Sequence, residues 1–181
     1  MVIYTKKGDK GETNLYSPKS LRKARILKSS LTIKAIGAVD EANSFLGMVT
    51  SFSEDKNLVL WIKGCQRNLF AVGSILAGAP LGFSKTKTLK LEKEIDKLEK
   101  SLPTLKHFIL PGGTRAASLL FMARTLARRA ERSVVKLGRR QKMKPQISVY
   151  LNRLSDYLFT LARYVNFREG IKEEPWRGRD K

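Results

Sequence analysis

Apolar residues recur at alternating steps of three and four positions along five stretches of the chain. That spacing places apolar side chains on one face of an α-helix. The five stretches comprise, in chain order, Ala35, Val39, Ala42, Leu46 and Val49; Leu58, Ile62, Cys65, Leu69, Val72 and Leu76; Leu91, Ile95, Leu98 and Leu102; Leu120, Ala123, Ala127, Ala130 and Val134; and Ile147, Leu151, Leu154, Leu158, Leu161 and Val165. No alternation typical of a strand competes with them. The pattern predicts an all-α fold, an antiparallel five-helix bundle over residues 28–168.

Helix-breaking residues separate these stretches. Residues 78–82 contain glycine and proline, Pro103 follows the third stretch, and residues 138–145 form a basic segment that ends in proline. The Pro-Gly-Gly sequence at 111–113 cannot lie inside a regular helix, because proline lacks an amide hydrogen and glycine costs backbone entropy. Thr114 is a good N-cap, so the fourth helix is predicted to begin there.

The ends of the chain differ from the helical part. Residues 1–25 have no helical period and are rich in glycine, threonine and lysine, whereas residues 169–181 form a polar C-terminal tail. Gly8 and Gly11 allow backbone amides to turn toward an anion, although the pattern is not a Walker A sequence. The N-terminal stretch is therefore either a phosphate-binding arm or a flexible basic terminus. A length of 181 residues predicts one domain.

The fourth helix carries an unusual group of charges. Arg124 and Arg128 lie one turn apart at the margin of its apolar stripe, and Glu131 lies within reach of both. The alanines of this stripe let another backbone approach closely, which would partly desolvate the arginines and require anionic partners. We predict a half-buried edge with two guanidiniums and one carboxylate. The alternative is a solvated face, as arginines on helices commonly form.

Two other helices carry polar residues beside their apolar stripes. These are Asp40, Asn43 and Gly47 on the first helix, and Asn152, Ser155 and Phe159 on the fifth. Such a face is ordinarily surface, but one that is neither lysine-rich nor fully apolar also suits a subunit contact or a pocket.

The chain is strongly basic. It has 36 lysine and arginine residues against 16 aspartate and glutamate residues, for a formal net charge of +20. Its surface potential should attract anions such as nucleotides, polyphosphates, nucleic acid or acidic lipids. Charge alone does not choose among these partners.

The small numbers of cysteine and histidine residues exclude several kinds of chemistry. A single cysteine, Cys65, permits no internal disulfide and fits a buried apolar position, which favours a cytoplasmic location. One histidine, His107, excludes a zinc site built on His and Cys ligands and a di-iron site with two Glu-x-x-His pairs. We assign no metal ligands, and no segment approaches the ~20 apolar residues of a membrane span.

Five motifs, in order, resemble the PduO-type ATP:cob(I)alamin adenosyltransferases, also called corrinoid adenosyltransferases. They are Tyr4-Thr5-Lys6-Lys7-Gly8-Asp9-Lys10-Gly11, Val39-Asp40-Glu41-Ala42-Asn43-Ser44, Phe108-Ile109-Leu110-Pro111-Gly112-Gly113, Ala123-Arg124-Thr125 with Arg128-Arg129-Ala130-Glu131-Arg132, and Tyr150-Leu151-Asn152-Arg153-Leu154-Ser155-Asp156. They span nearly the whole chain. Ala42 and Phe121 depart from the family's usual Leu and His, and residues 16–18 replace a common Gly-Gly pair.

The resemblance implies a homotrimer that binds ATP and Mg2+ between subunits, with cobalamin beside them. A flavoprotein reductase and an adenosylcobalamin-dependent mutase are the protein partners it suggests, and neither a membrane nor nucleic acid is expected. By the same resemblance, the ATP contacts are Thr5, Lys6, Gly8, Asp9, Gly11, Arg128, Glu131 and Asn152. Asp40 would pair with Arg124 across the subunit interface. Phe108 would lie under the corrin and help to displace its lower axial ligand, whereas from its residue type alone it is more often an ordinary core residue.

The sequence leaves open two interpretations from other functional classes. One is a non-enzymatic basic helical protein that binds nucleic acid or nucleotides, although no zinc-finger spacing or RNP aromatic motif supports it. The other is a purely structural trimer, which leaves Asp40, Glu131 and the N-terminal arm without a role.

Overall fold

The computed structural model describes residue 4, residues 6–16 and residues 25–178. Five α-helices make up the bundle, and two short strands precede them. The elements are β1 (Glu12–Asn14), β2 (Arg25–Leu27), α1 (Leu31–Ser51), α2 (Lys56–Leu76), α3 (Thr86–Glu99), α4 (Arg115–Gly138) and α5 (Pro145–Arg168). The predicted five-helix bundle is confirmed.

Helix starts follow the local chemistry of the sequence. Thr114 caps α4, because its hydroxyl oxygen accepts a hydrogen bond from the amide of Ala117 at 3.1 Å. Asp55 caps α2 in the same way, accepting from the amides of Asn57 and Leu58 at 2.8 and 3.2 Å. Pro145 lies in the first turn of α5, where a missing amide hydrogen costs nothing.

The helices alternate in direction around one core. α4 packs between α1 and α5, α2 packs on α1, and α3 lies beside α5 and parallel to it. The five apolar stripes supply most of this core, and Cys65 is buried in it as predicted. No helix within the described residues is long and apolar enough to cross a membrane.

The two ends of the bundle carry different features. Residues 6–16 lie where α1 begins and α2 ends, because the Tyr16 amide donates to the Ala77 carbonyl at 2.8 Å. We call this the arm end. The connection at residues 100–114 joins α3 to α4 at the opposite end, the loop end. A helix of 24 residues is about 36 Å long, which is the approximate separation of the two ends.

The structure contains a small antiparallel sheet, which corrects the expectation that no strand accompanies the helices. β1 pairs with β2 so that Glu12 opposes Leu27 and Asn14 opposes Arg25. Arg25 also donates to the Glu12 carboxylate at 2.6 Å. Each strand has only three residues, too few to show alternation in the sequence, and the pairing joins positions 11 to 15 residues apart.

Candidate functional site

Phe108 lies on the 100–114 connection and is not a core residue. Its side chain is 79% exposed in the single chain, so the expectation from residue type alone is wrong. The backbone around it is constrained at both ends. The Arg163 guanidinium donates to the Pro103 carbonyl at 2.8 Å, and Asn166 binds both the Gly112 carbonyl and the Thr114 amide at 2.8 and 2.9 Å. An exposed aromatic ring is thus held on a well-anchored loop.

The conformation of Gly113 explains why this loop needs glycine at that position. Its φ of 104° is a left-handed conformation that favours glycine, and a Cβ there would lie 2.2 Å from the Asn166 side chain. Any larger residue would therefore push Asn166 away from the loop. Sequence reasoning missed Asn166 and Arg163, because both sit on α5 among apolar positions without a local motif.

A groove of about 800 Å³ opens beside Phe108 between α3, α4 and α5. Phe121 and Phe159 form an edge-to-face pair in its wall, with ring centroids 5.8 Å apart. The lining consists of Glu92, Ile95, Asp96, Glu99, Leu105, Phe108, Ile109, Pro111, Phe121, Arg124, Arg153, Asp156, Phe159 and Thr160. The groove therefore combines a broad apolar wall with a charged rim, and it brings together Phe108 and Arg124.

The charges of the rim are organised around two arginines. The Arg124 guanidinium stacks over the Phe159 ring at 5.4 Å and is half-buried, as predicted. Arg153 donates to the carboxylates of Glu92 and Asp156 at 3.0 and 2.6 Å. Hydrogen bonding to Glu92 raises the pKa of Arg153 above its ordinary value. Both guanidiniums are positively charged, and they offset carboxylates in a groove rich in acidic side chains.

Glu131 and Asn152 meet across the α4–α5 contact. The Asn152 amide donates to the Glu131 carboxylate at 3.1 Å, and Glu131 is half-buried. The expected cluster with both arginines is not formed within the described chain, because Glu131 bonds to Asn152. Sequence reasoning named both residues but did not pair them.

Arg128 is exposed in the single chain, which corrects the expectation that it lies on a half-buried edge. The buried alanines at 127 and 130 define the core direction, and Arg128 points roughly 130° from it at 100° per residue. The neighbouring Arg129 instead makes an ion pair with Glu41 that joins α4 to α1. Arg128 is thus available on the surface of α4.

Asp40 is also exposed, and it makes no ion pair with any residue that the structure describes. Its proposed partner Arg124 faces the groove in the same chain. One turn further along α1, Asn43 is buried at 5% exposure, and its side-chain oxygen has no hydrogen-bond partner among the residues that the structure describes. The pairing of Asp40 with Arg124 across an interface stays a prediction.

The arm forms a tight turn before β1. Gly11 has a φ of 79°, its amide donates to the Gly8 carbonyl at 3.2 Å, and its own carbonyl accepts from the Lys28 amide at 2.8 Å. A Cβ at Gly8 would lie 3.2 Å from the Lys28 ammonium nitrogen. Lys6, Gly8, Asp9 and Gly11 therefore lie in one turn beside Lys28, a cation that sequence reasoning missed. Thr5 lies outside the described residues.

Comparisons with known proteins agree with this geometry. The family model described as cobalamin adenosyltransferase matches residues 3–165. A corrinoid adenosyltransferase of Bacillus subtilis is 40% identical over 179 residues, covering 94% of this chain and 90% of that protein. The human corrinoid adenosyltransferase MMAB is 37% identical over 190 residues, covering 98% and 74% of the two chains.

Solved structures give the same result. A variant PduO-type ATP:corrinoid adenosyltransferase of Lactobacillus reuteri, complexed with cobalamin and ATP, superposes with a TM-score of 0.91 at 36% identity, covering 98% of this chain and 100% of that one. A second variant of that enzyme, complexed with ATP, gives a TM-score of 0.89 at 38% identity, covering 97% and 100%.

Proposed function

Because the chain belongs to the cobalamin adenosyltransferase family, we propose that it transfers the 5′-deoxyadenosyl group of ATP to cob(I)alamin, forming adenosylcobalamin and releasing triphosphate. The observation that carries the proposal is the 79% exposed Phe108 at the mouth of an aromatic groove. A flat macrocycle can cover this ring and the apolar wall together. The groove volume of about 800 Å³ is in the range of small-molecule sites.

In this proposal the corrinoid occupies the groove and Phe108 lies under it. Cob(II)alamin is hard to reduce while its lower ligand remains bound, so an apolar surface that displaces the ligand eases reduction. Phe108 offers no hydrogen-bonding or coordinating atom to replace the ligand. Phe121 and Phe159 supply further apolar area on the same side.

ATP is assigned to the arm and to polar residues of α4 and α5. Thr5, Lys6, Gly8, Asp9 and Gly11 would surround the phosphates, with Arg128, Glu131 and Asn152 as further contacts. The exposure of Arg128 suits a residue that meets a ligand or a neighbouring subunit. A guanidinium makes charge-assisted hydrogen bonds to phosphate that are stronger than neutral ones.

We propose the homotrimer that the family resemblance implies, and the distance between the two sites supports a site shared between subunits. The arm of one chain lies about 36 Å from its own loop end, judged by helix length. A neighbouring chain can bring its arm beside this chain's groove, so that ATP lies between subunits. Exposed Asp40 and groove-facing Arg124 are then available to pair across that boundary.

The reaction needs positioning and electrostatics but no general base. Cob(I)alamin supplies the electron pair that forms the cobalt–carbon bond at C5′ of ATP. The bond between C5′ and its oxygen breaks, and the triphosphate leaves with that electron pair. Arg128 and the lysines of the arm stabilise the charge that develops on the leaving group. A chain with a single histidine can therefore carry out this chemistry.

We propose that Mg2+ binds together with ATP, as an ion shared with the phosphates. No group of three His, Cys, Asp or Glu side chains that could hold a metal occurs among the residues that the structure describes. Mg2+ is usually bound by one or two carboxylates together with substrate phosphates, and Asp9 and Glu131 supply carboxylates of that kind. When bound, the ion would neutralise charge on the triphosphate.

The remaining partners stay as the sequence suggested them. We propose a cytoplasmic enzyme that receives its electron from a flavoprotein reductase and passes its product to an adenosylcobalamin-dependent mutase. The nucleic-acid-binding alternative is not favoured, since the groove at the loop end carries Glu92, Asp96, Glu99 and Asp156, which would repel a phosphate backbone.

The test is anaerobic incubation with ATP, Mg2+ and chemically reduced cobalamin, followed by absorbance. We expect the cob(I)alamin spectrum to be replaced by that of adenosylcobalamin, with one triphosphate released per product. Omission of ATP is the control. Persistence of the cob(I)alamin spectrum under these conditions would refute the proposed function, and salt-sensitive binding to any nucleic acid would then support the alternative.

A further inference from the structure

The chain continues past α5 and returns to the loop that carries Phe108. Residues 171–176, here called the C-terminal segment, run antiparallel to residues 108–110. The Trp176 amide donates to the Phe108 carbonyl at 2.7 Å, and the Leu110 amide donates to the Glu174 carbonyl at 2.9 Å. This segment lies outside residues 3–165, which the family model matches.

A side-chain contact accompanies this backbone pairing. The rings of Trp176 and Phe108 meet edge to face, with centroids 6.4 Å apart and an interplanar angle of 66°. Trp176 is 55% exposed, so it too lies at the surface beside the groove. Edge-to-face pairs favour particular ring orientations, so this contact restricts the side-chain conformations open to Phe108.

An ion pair with a buried arginine anchors the segment to α5. The Arg163 side chain is only 5% exposed, and it donates from Nε and Nη2 to the two carboxylate oxygens of Glu173 at 2.5 and 3.1 Å. Its Nη2 also donates to the Pro103 carbonyl at 2.8 Å. One guanidinium therefore fixes both the start of the connection and the segment that pairs with it, with the geometric specificity of a two-point contact.

We propose that Trp176 is a positioning residue for Phe108, held in place by the Arg163–Glu173 pair, and that it sets the orientation in which Phe108 meets the corrinoid. The inference rests on the proposed function. Trp176 acts through Phe108, so its effect should appear where Phe108 matters, in displacement of the lower ligand of cob(II)alamin. Misplacement of a group by about 1 Å can cost up to ~100-fold in rate.

The principal test compares Trp176→Ala, Trp176→Phe and a control, Phe70→Ala, which removes a 67% exposed aromatic ring from α2. With ATP present, the absorbance and electron paramagnetic resonance of cob(II)alamin report the fraction that has lost its lower ligand. We expect Trp176→Ala to lower this fraction, and turnover from cob(II)alamin, by about 10-fold or more, within the range for a misplaced group. Turnover from supplied cob(I)alamin should stay close to the wild-type value, and the melting temperature should fall by only a few degrees, because Trp176 is 55% exposed.

Trp176→Phe keeps an aromatic edge and should recover most of the loss, and Phe70→Ala should show none. A double-variant cycle sharpens the test, because residues that act together are not additive. Adding Trp176→Ala to Phe108→Ala should cause little further loss. Full additivity, an unimpaired Trp176→Ala variant, or an equal fall in both assays with a lowered melting temperature would overturn the positioning role.

One measurement is independent of turnover. In a Trp61→Phe background Trp176 is the sole tryptophan, since the chain has two. Removing the Phe108 ring should then increase quenching of its fluorescence by acrylamide, and an unchanged quenching constant would overturn the contact. Failure of the wild-type chain to convert supplied cob(I)alamin would refute the proposed function, whereas wild-type conversion with normal Trp176→Ala behaviour refutes only this inference.

Discussion

Replacing Phe108 by alanine should separate chemistry from stability. Complete burial of a Phe side chain contributes about 1.5 to 3 kcal/mol, and at 79% exposure only about a fifth of that is present. The edge-to-face contact with Trp176 adds roughly 0.5 to 1.5 kcal/mol. We therefore expect Phe108→Ala to lower the free energy of unfolding by about 1 to 2 kcal/mol, which is a fall in melting temperature of roughly 2 to 8 °C in a domain of this size.

Phe83 provides the matched control. It is 7% exposed and packs edge to face on Tyr150 at a centroid distance of 5.3 Å. Truncation of a buried Phe costs about 3 to 5 kcal/mol, so Phe83→Ala should unfold at clearly lower denaturant concentration than Phe108→Ala.

The assay measures turnover from cob(II)alamin with a reductant and from supplied cob(I)alamin on the same preparation. Phe108→Ala should lose most of the first activity, much less of the second, and almost none of its ATP affinity, because in the proposed mechanism the ring acts on the lower ligand and not on the nucleotide. Equal loss in both assays, with a melting temperature as low as that of Phe83→Ala, would refute the ligand-displacement role.

Three further perturbations test other parts of the molecule. Arg128→Ala should nearly abolish turnover while leaving the melting temperature unchanged, because an exposed side chain that meets the triphosphate supplies about 1.5 to 3 kcal/mol of charge-assisted contact or more. Lys136→Ala is the exposed control on the same helix. Wild-type activity of Arg128→Ala at low ATP would contradict this prediction. Asp40→Ala should weaken the proposed trimer by leaving Arg124 without its proposed partner, at a cost of up to roughly 3 to 5 kcal/mol if the pair is fully buried. Light scattering and ATP titration measure the effect, and an intact trimer with normal ATP affinity would exclude the pairing. Burial raises the pKa of Cys65 from 9.0 to about 12, so the unfolded thiol releases its proton at lower pH than the folded one, and the free energy of unfolding should fall as pH rises above 9. Urea unfolding at pH 8 and pH 10 checks this, with a smaller decline expected for Cys65→Ala.

The sequence predicted the helices well because their signals are local. Each helix needs only a stripe of apolar residues and a capping group such as Thr114, both visible within a few positions. The β1–β2 pair and the C-terminal segment have no such signal. Three-residue strands show no period, and residues 169–181 look polar in isolation. Their pairing depends on residues that only the folded bundle brings together, such as Arg163 with Glu173.

Several residues of the candidate site were also predictable from local sequence signals, whereas their mutual contacts were not. Glu131 and Asn152 could be named from motifs, but their mutual hydrogen bond depends on how α4 packs against α5. The spacing around Arg128 indicated a margin of the core, yet a helical angle does not fix how far a neighbouring helix extends over that margin. For Phe108 the residue type predicted burial, because aromatic side chains are usually buried, whereas the side chain is exposed. Only the anchored loop explains this exposure.

The distribution of charge links the two substrates to the two ends of the chain. Although the chain carries a net charge of +20, the described residues that line the groove beside Phe108 include four carboxylates, two guanidiniums and no lysine. The lysines of the arm and Lys28 lie at the other end of the bundle. A triphosphate is attracted to the arm and repelled from the groove, whereas a macrocycle that binds largely through apolar contact has no such preference. The field of the protein therefore supports the proposed arrangement, in which an arm and a groove from neighbouring chains meet, the phosphates are directed away from the corrinoid face, and C5′ lies beside it.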